Sequence, residues 1–498
     1  MKIPATASQF PSGSRFLDLR ESSVLLALLL ALAAFYVATL RPGQAWGDDF
    51  AMYLMHARNL AQGVPYNQTG YIYNPELPEV GPRSYPPLYP LLLSFIYRVR
   101  GLDLSAMKVL VILLFLSGLY VLARLLRHVL PLWVTLLITA GIALNPYILG
   151  MKESLGSDLP FLLFCYSALY VIDLCDRDGW QSRWHLALLV LAVYLSYAMR
   201  TVGIVVVPAA IILVLVRKRG IPRRVIEMIA VLCIILLIHI LWFRGAASYL
   251  DQLNRLSIAT VSHNLSGYFW SIRHLLWPLG SVAPSLLLAI VMIALGLWGY
   301  AIRAGTGLSI LEVFSPLYAV AILLWASDED LRFFLPLIPL WLFYAAVALR
   351  EISQRAPIHA MRLAAAPVLI AALAVSSGTA LLHADSGPIR EGLLDPEFQQ
   401  LCSYIRSSTP ADSVFLFRKP RILALYTDRH AAVSSHSTND SHLWLVIGQL
   451  RAGYIILAPE FTDDYSVLNR LVHHYPGSFR EVFHDPEFKV LRIQQQPK

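Results

Sequence analysis

Residues 22–40 read SSVLLALLLALAAFYVATL, nineteen positions without a charge, behind a polar segment that holds Lys2, Arg15 and Arg20. A helix of that length spans the hydrocarbon core of a bilayer, about 30 Å at about 1.5 Å per residue. A cleavable signal peptide would have a shorter apolar core ending at a small-residue site, so the run predicts an uncleaved signal anchor. Ten further apolar runs follow, at 105–123, 131–149, 159–175, 185–199, 201–216, 226–243, 282–302, 308–326, 331–349 and 363–382. In lipid every backbone N–H and C=O must be paired inside its own segment, which leaves helices as the expected spanning form. The fold class is therefore an all-α polytopic membrane protein of about eleven transmembrane helices. Composition agrees, with 57% hydrophobic and 14% charged residues where a soluble domain carries about a quarter charged.

Lys and Arg set the orientation. With the N-terminal segment 1–21 cytoplasmic, the cytoplasmic turns hold Arg124 and Arg127, Arg177 and Arg183, five basic residues in 217–224, Arg303, and Arg350, Arg355 and Arg362. The non-cytoplasmic side then receives the outer loop 41–104, residues 150–158, the turn at Arg200, residues 244–281, the acidic turn 327–330 and the tail. The run 86–97 is too short and proline-rich to cross, and predicts an interfacial or re-entrant segment. The net charge of +8 does not point to nucleic acid. From residue 388 onward twelve Lys or Arg face twelve Asp or Glu, so the basic excess belongs to the membrane part, 22–387. Four cysteines, three of them in or beside apolar runs, imply no disulfide framework. In the tail, helical patterns at 397–407, 440–451 and 463–474 alternate with strand-like runs at 413–417, 453–457, 479–483 and 489–493, predicting a small soluble α/β domain over 388–498. No phosphate loop, CxxC pair or HExxH occurs there.

Chemistry concentrates on the outer face. Trp46-Gly47-Asp48-Asp49-Phe50-Ala51-Met52-Tyr53 places adjacent carboxylates just after the first span. Two such acids repel, so one should hold its proton unusually high unless a cation is close, which suits a general base or a metal ligand. Alternatively they open a helix over 50–62 and complement its dipole. The segment Met151-Lys152-Glu153-Ser154-Leu155-Gly156-Ser157-Asp158-Leu159-Pro160 lies on the same side, with Asp158 suited to a helix N-cap before Pro160. By ligand type Glu153 and Asp158 also suit a divalent metal ion. Arg200 divides two apolar runs, and Arg332 opens Arg332-Phe333-Phe334-Leu335-Pro336-Leu337-Ile338-Pro339. Each guanidinium is either an interface anchor or a bidentate phosphate clamp.

Together these features resemble the C-type membrane glycosyltransferases that use polyprenyl-phosphate sugars, the group containing protein O-mannosyltransferases and aminoarabinose transferases. The resemblance runs from about residue 46 to 339. It rests first on the acid pair followed by Tyr53, Ala57, Leu60 and Gly63, and on Tyr85-Pro86-Pro87-Leu88-Tyr89-Pro90. Weaker matches are Ser157-Asp158-Leu159-Pro160-Phe161, Arg200-Thr201-Val202-Gly203 and the run from Arg332. Some relatives carry a lysine in the Pro-Pro segment, where this chain has Leu88 and Tyr89. The resemblance implies that Asp48 or Asp49 activates the acceptor hydroxyl, and Asp158 on the same face is a further candidate catalytic acid. It implies that Arg200 and Arg332 hold the donor phosphate, with Lys152 on the same face a further candidate for that role. The expected reaction is an inverting sugar transfer from a polyprenyl-phosphate donor to a glycan, lipid or protein acceptor, at the periplasmic face of a bacterial inner membrane. A transporter or lipid flippase is the alternative. Its ionisable groups should sit at midplane in broken helices rather than at one face.

Overall fold

The computed structural model describes residues 19–243, 257–276, 282–325, 330–355 and 359–494. Most of the N-terminal segment 1–21, part of the predicted outer stretch 244–281 and the acidic positions 327–329 lie outside the described residues. Among the described residues, six helical segments are long and apolar enough to cross a membrane: Leu19–Ala38, Leu104–Leu126, Asp158–Arg177, Thr201–Lys218, Arg223–Phe243 and Ser285–Thr306. Shorter apolar helices occur at Arg183–Met199 and Ile310–Leu323, and Ile338–Arg355 and His359–Leu382 complete the bundle. The chain is an integral membrane protein by this pattern.

Two predicted spans take a different form. The run 131–149 is a bent pair, Leu132–Ala143 and then Pro146–Glu153, turned by 52°. Asn145 causes the break by capping the second helix, its side chain accepting from the N–H groups of Tyr147 and Ile148, while Pro146 takes the first helical position. The run 331–349 starts late: Asp330–Arg332 is a 3-10 turn, and the helix begins only at Ile338. Its first residues stay outside the helix and face the cavity described below. Elsewhere the packing is tight. At Gly118 an added Cβ would stand 2.7 Å from the Leu163 nitrogen, so glycine lets the backbones of Leu104–Leu126 and Asp158–Arg177 approach closely.

The outer loop folds as helix Asp49–Gln62, a 3-10 turn at Pro78–Val80, and helix Leu88–Arg100, whose 13 residues are too few to cross. Beyond residue 388 lies a five-stranded sheet, β1 Val414–Leu416, β2 His430–Ala432, β3 Tyr454–Leu457, β4 Phe479–His484 and β5 Lys489–Ile493, in the order β2-β1-β3-β5-β4. Strand β1 runs parallel to both neighbours and the β3-β5-β4 half is antiparallel. Helices Pro396–Ser408, Asp440–Gln449 and Thr462–His474 fall near their predicted places. Helix Pro420–Thr427 and strand β2 were not predicted; both are too short to give a clear hydrophobic period.

The outer loop and the tail are joined as one body. Ile72 donates its N–H to Ala431 O at 2.8 Å and Ala431 donates to Gly70 O at 2.9 Å, so the loop pairs along the exposed edge of β2. Trp46, two residues before the acid pair, is buried among Phe398, Phe461, Phe488 and Phe417 with ring centroids 4.9 to 6.5 Å away. These edge-on aromatic contacts hold the start of helix Asp49–Gln62 to the tail.

Candidate active site

A cavity of about 620 Å3 opens where the outer loop, the bundle and the tail meet. Asp48, Asp49, Tyr53, Tyr85, Tyr147, Asp158, Arg200, Arg332 and Lys419 line it. The acids of its walls and the arginines that hold them alternate in charge along one chain of side chains, Arg200–Asp158–Arg332–Asp49–Arg421–Asp48.

From one end, the Arg200 Nη1 group donates to Asp158 Oδ1 and to Ser157 Oγ, the latter at 3.3 Å. Its guanidinium lies 5.0 Å over the Phe333 ring. Arg332 Nη2 then bridges two acids, donating to Asp158 Oδ2 at 3.3 Å and to Asp49 Oδ2 at 2.9 Å. The other Asp49 oxygen accepts from the Tyr85 hydroxyl at 2.6 Å and from Arg421 Nη1 at 3.0 Å. Asp48 closes the series, with Oδ2 3.5 Å from Arg421 Nε and Oδ1 accepting from the Ile422 N–H at 3.2 Å. Asp158 is the first residue of its helix rather than the predicted cap, a place taken by Ser157. At that first turn its carboxylate complements the dipole while reaching both arginines.

The two adjacent acids differ in environment and so in acidity. Burial pushes the Asp48 carboxyl above the usual carboxylate range, outweighing Arg421 and Lys419. Burial also pushes Asp49 up, but Arg332 and Arg421, with hydrogen bonds from Tyr85 and Arg332, hold it below that range. About a third of the Asp49 side-chain surface, 32%, faces the cavity, against 12% for Asp48. Asp49 is thus the ionised acid open to a ligand, and Asp48 the enclosed one.

Five predicted site residues, Asp48, Asp49, Asp158, Arg200 and Arg332, converge here; Lys152 and Glu153 do not. Their short 3-10 turn Met151–Glu153 directs both side chains inward, away from the cavity lining. Glu153 is enclosed by Lys152 and by Lys108, whose ammonium lies 3.1 Å away, and Lys152 also donates to Thr39 O at 2.8 Å. Lys108 donates onward to Arg41 O and Gly43 O. The trio fixes the exit of the first span, so Glu153 does not join Asp158 as a metal ligand set. Among the described residues, the grouping of acidic ligand atoms close enough for a metal is Asp395, Glu397 and Glu487 in the tail. Two residues escaped prediction, Lys419 in the cavity wall and Arg421 buried behind the acids. The available signal was an arginine opening the otherwise apolar octet PRILALYT.

A second cavity of about 840 Å3 lies on the bundle flank, lined by Trp133, Leu137, Ile142, Ile148, Leu369 and Leu373 among others, with no carboxylate. The short helix Pro146–Gly150 separates the two, turning Asn145 and Ile148 to the apolar side and Tyr147 and Gly150 to the charged one.

No protein-family profile matches the chain, and no curated protein matches it in sequence. Solved structures do match in shape. The archaeal oligosaccharyltransferase AglB from Archaeoglobus fulgidus, in complex with an inhibitory peptide and a dolichol-phosphate, superposes at TM-score 0.58 and 13% identity over 95% of this chain and 74% of that one. ArnT from Cupriavidus metallidurans bound to undecaprenyl phosphate matches at TM-score 0.53 and 13% identity, over 94% and 97%. The arabinofuranosyltransferase AftD from Mycobacteria matches at TM-score 0.53 and 16% identity, over 97% of this chain and 42% of that one. At these identities the likeness is one of fold: the chain is similar in architecture to these glycosyltransferase structures.

Proposed function

We propose that this protein transfers a sugar from a polyprenyl-phosphate donor to an acceptor hydroxyl, with inversion, at the non-cytoplasmic face of a bacterial inner membrane. The alternating Arg–Asp chain around the charged cavity carries the proposal. Three guanidinium groups balance three carboxylates, and Lys419, which acts on the Asp48 carboxyl at longer range, adds a further positive charge suited to a phosphate. The structures bound to dolichol-phosphate and undecaprenyl phosphate support a lipid-linked donor.

The mechanism follows from chemistry at these positions. The phosphate rests on Arg200, Arg332 and Lys419, with Lys419 filling the role expected of Lys152. The acceptor oxygen attacks the sugar C1 as the C1–O bond to phosphate breaks, and the bonding pair leaves with the phosphate oxygen. Asp49 takes the acceptor proton. The arginines stabilise the charge that grows on the leaving phosphate. A single displacement inverts C1 and needs no second carboxylate nucleophile. The cavity acids are already balanced by arginine, which is a poor fit for a divalent metal ion, and no step uses one.

Eleven crossings are part of the same proposal: the six long spans, the bent pair as one, and the helices beginning at Arg183, Ile310, Ile338 and His359. They support an outer tail, since the count is odd. The test of function is Asp49→Asn in purified protein supplied with lipid-linked sugars. Turnover should fall by about two to four powers of ten with donor binding kept. Transfer at the wild-type rate would make the acid structural. Flux of an ion or lipid across proteoliposomes, with no transfer, would favour the transporter instead.

A further inference from the structure

Arg421 is fully buried, although it belongs to the tail and is the second residue of an eight-residue helix. Its surroundings are built around the guanidinium. Nη1 donates to Asp49 Oδ1 and to the Tyr85 hydroxyl, both at 3.0 Å, and Nη2 donates to Val80 O. The Tyr71 and Tyr85 rings cover it with centroids 4.8 and 5.4 Å away. Gly81 makes the room: an added Cβ would stand 1.9 Å from Arg421 Nη2, and the residue has a φ of +133° that side chains rarely adopt. The outer loop therefore closes over a residue supplied by the tail.

We propose that Arg421 is a positioning residue for the catalytic acid, so that the tail is a working part of the active site and not an appendage. The inference rests on the transferase reading above. One guanidinium holds both carboxylates of the Asp48–Asp49 pair from the side opposite the cavity. It fixes the direction in which Asp49 presents its free edge, and keeps that acid ionised beside its neighbour. Arg421 lies behind the acids, outside the cavity lining, so it acts through Asp49 without touching the reacting atoms. A fork with donors in fixed geometry suits this task, whereas an ammonium can satisfy one acid but not the pair.

Three variants test it. Arg421→Ala should lower kcat by about two powers of ten with little change in KM for the lipid-linked donor, the cost of a misdirected base. Free guanidinium ion, which fits the space vacated, should restore part of that loss in Arg421→Ala and do nothing for the wild type. Arg421→Lys should retain part of the rate and shift the acidic limb of the pH profile upward less than Arg421→Ala does. Gly81→Ala changes no polar group but displaces the guanidinium, and should mimic Arg421→Ala without rescue. If the wild type transfers sugar and all three variants keep its kcat and pH profile, the inference fails alone. If kcat falls but guanidinium neither rescues it nor moves the limb, Arg421 merely holds the fold and the inference also fails. A wild type that transfers no sugar overturns the function and the inference together.

Discussion

Arg332 holds two acids on one nitrogen, Asp49 Oδ2 at 2.9 Å and Asp158 Oδ2 at 3.3 Å, and on the proposed function this sharing would let the donor prepare its own base. A phosphate entering the cavity competes for the guanidinium. Asp49 then loses one of the cations that hold its carboxyl low, and becomes more basic as the acceptor arrives. Arg332→Lys keeps the charge and loses the fork, so donor use should weaken by about 1 to 3 kcal/mol, read from KM or from direct binding of the lipid. Arg332→Gln removes the charge as well. With that cation gone the Asp49 carboxyl rises, and because the ionised form is the active one, the acidic limb of the rate profile should move to higher pH. An unmoved limb in Arg332→Gln would exclude Asp49 as the base. The acids and arginines of this chain were legible because ionisable groups at the ends of apolar runs are costly unless used. Lys152 and Glu153 looked the same by that criterion. Nothing in sequence distinguishes a charged pair turned toward Lys108 from one turned toward the cavity, since the intervening 3-10 turn decides it. Arg421 was the reverse case, an arginine in the tail beyond the apolar runs, where arginine is ordinary.

At the scale of elements, the bend at Asn145–Pro146 has the largest consequence. A straight helix over 131–149 would bury this stretch in the bundle, whereas the 52° turn swings Pro146–Gly150 between the two cavities. Continuous hydropathy hid the bend, although Asn followed by Pro is an N-terminal signal that sequence alone could have supported. On the proposed function, the arrangement would offer a lipid-linked donor a place for each half, its phosphate among the arginines and its chain on the apolar flank. Gly141 lines the apolar cavity and has open space where a Cβ would point. Gly141→Phe should fill the groove without clashing and without loss of helix propensity. KM for a long-chain donor should rise several-fold while the pH profile stays fixed. A short-chain analogue should be affected less. Equal use of the long-chain donor by variant and wild type would place the chain elsewhere. The tail shows the limit of pattern reading: its longer helices and strands were legible, but the eight-residue helix that delivers Arg421 and the three-residue strand that pairs with the outer loop fall below the length at which periodicity speaks.

Across the whole molecule, contacts sort the helix ends into two faces. At one, Arg127 pairs with Glu21, Arg177 with Asp173, Arg217 with Asp176 at 3.1 Å and with Leu308 O at 2.9 Å, and Arg224 with Gln181. At the other, Lys108 reaches the exit of the first span, Ile389 donates to Pro42 O at 2.8 Å, and the residues of the charged cavity gather from seven separate stretches of chain. The basic face matches the side that the lysine and arginine count assigns to the cytoplasm. Sequence could give this sorting because the positive-inside bias acts on each turn separately, whereas the assembly of the cavity needs the tertiary fold. The topology makes a prediction that does not depend on catalysis. Gln68, His263, Thr438 and Gly220 are all exposed, so cysteine at any of them should be reachable from its own side of the membrane. In intact cells an impermeant maleimide should modify Gln68→Cys, His263→Cys and Thr438→Cys, and should reach Gly220→Cys only after the membrane is opened. The native thiols interfere little, since Cys165, Cys175 and Cys402 are buried and Cys233 sits within an apolar span. Modification of Gly220→Cys alone in intact cells would invert the molecule and put Asp49 on the cytoplasmic side. Modification of both Gly220→Cys and Thr438→Cys would make the number of crossings between them even, and one of the shorter helices would then have to leave the count.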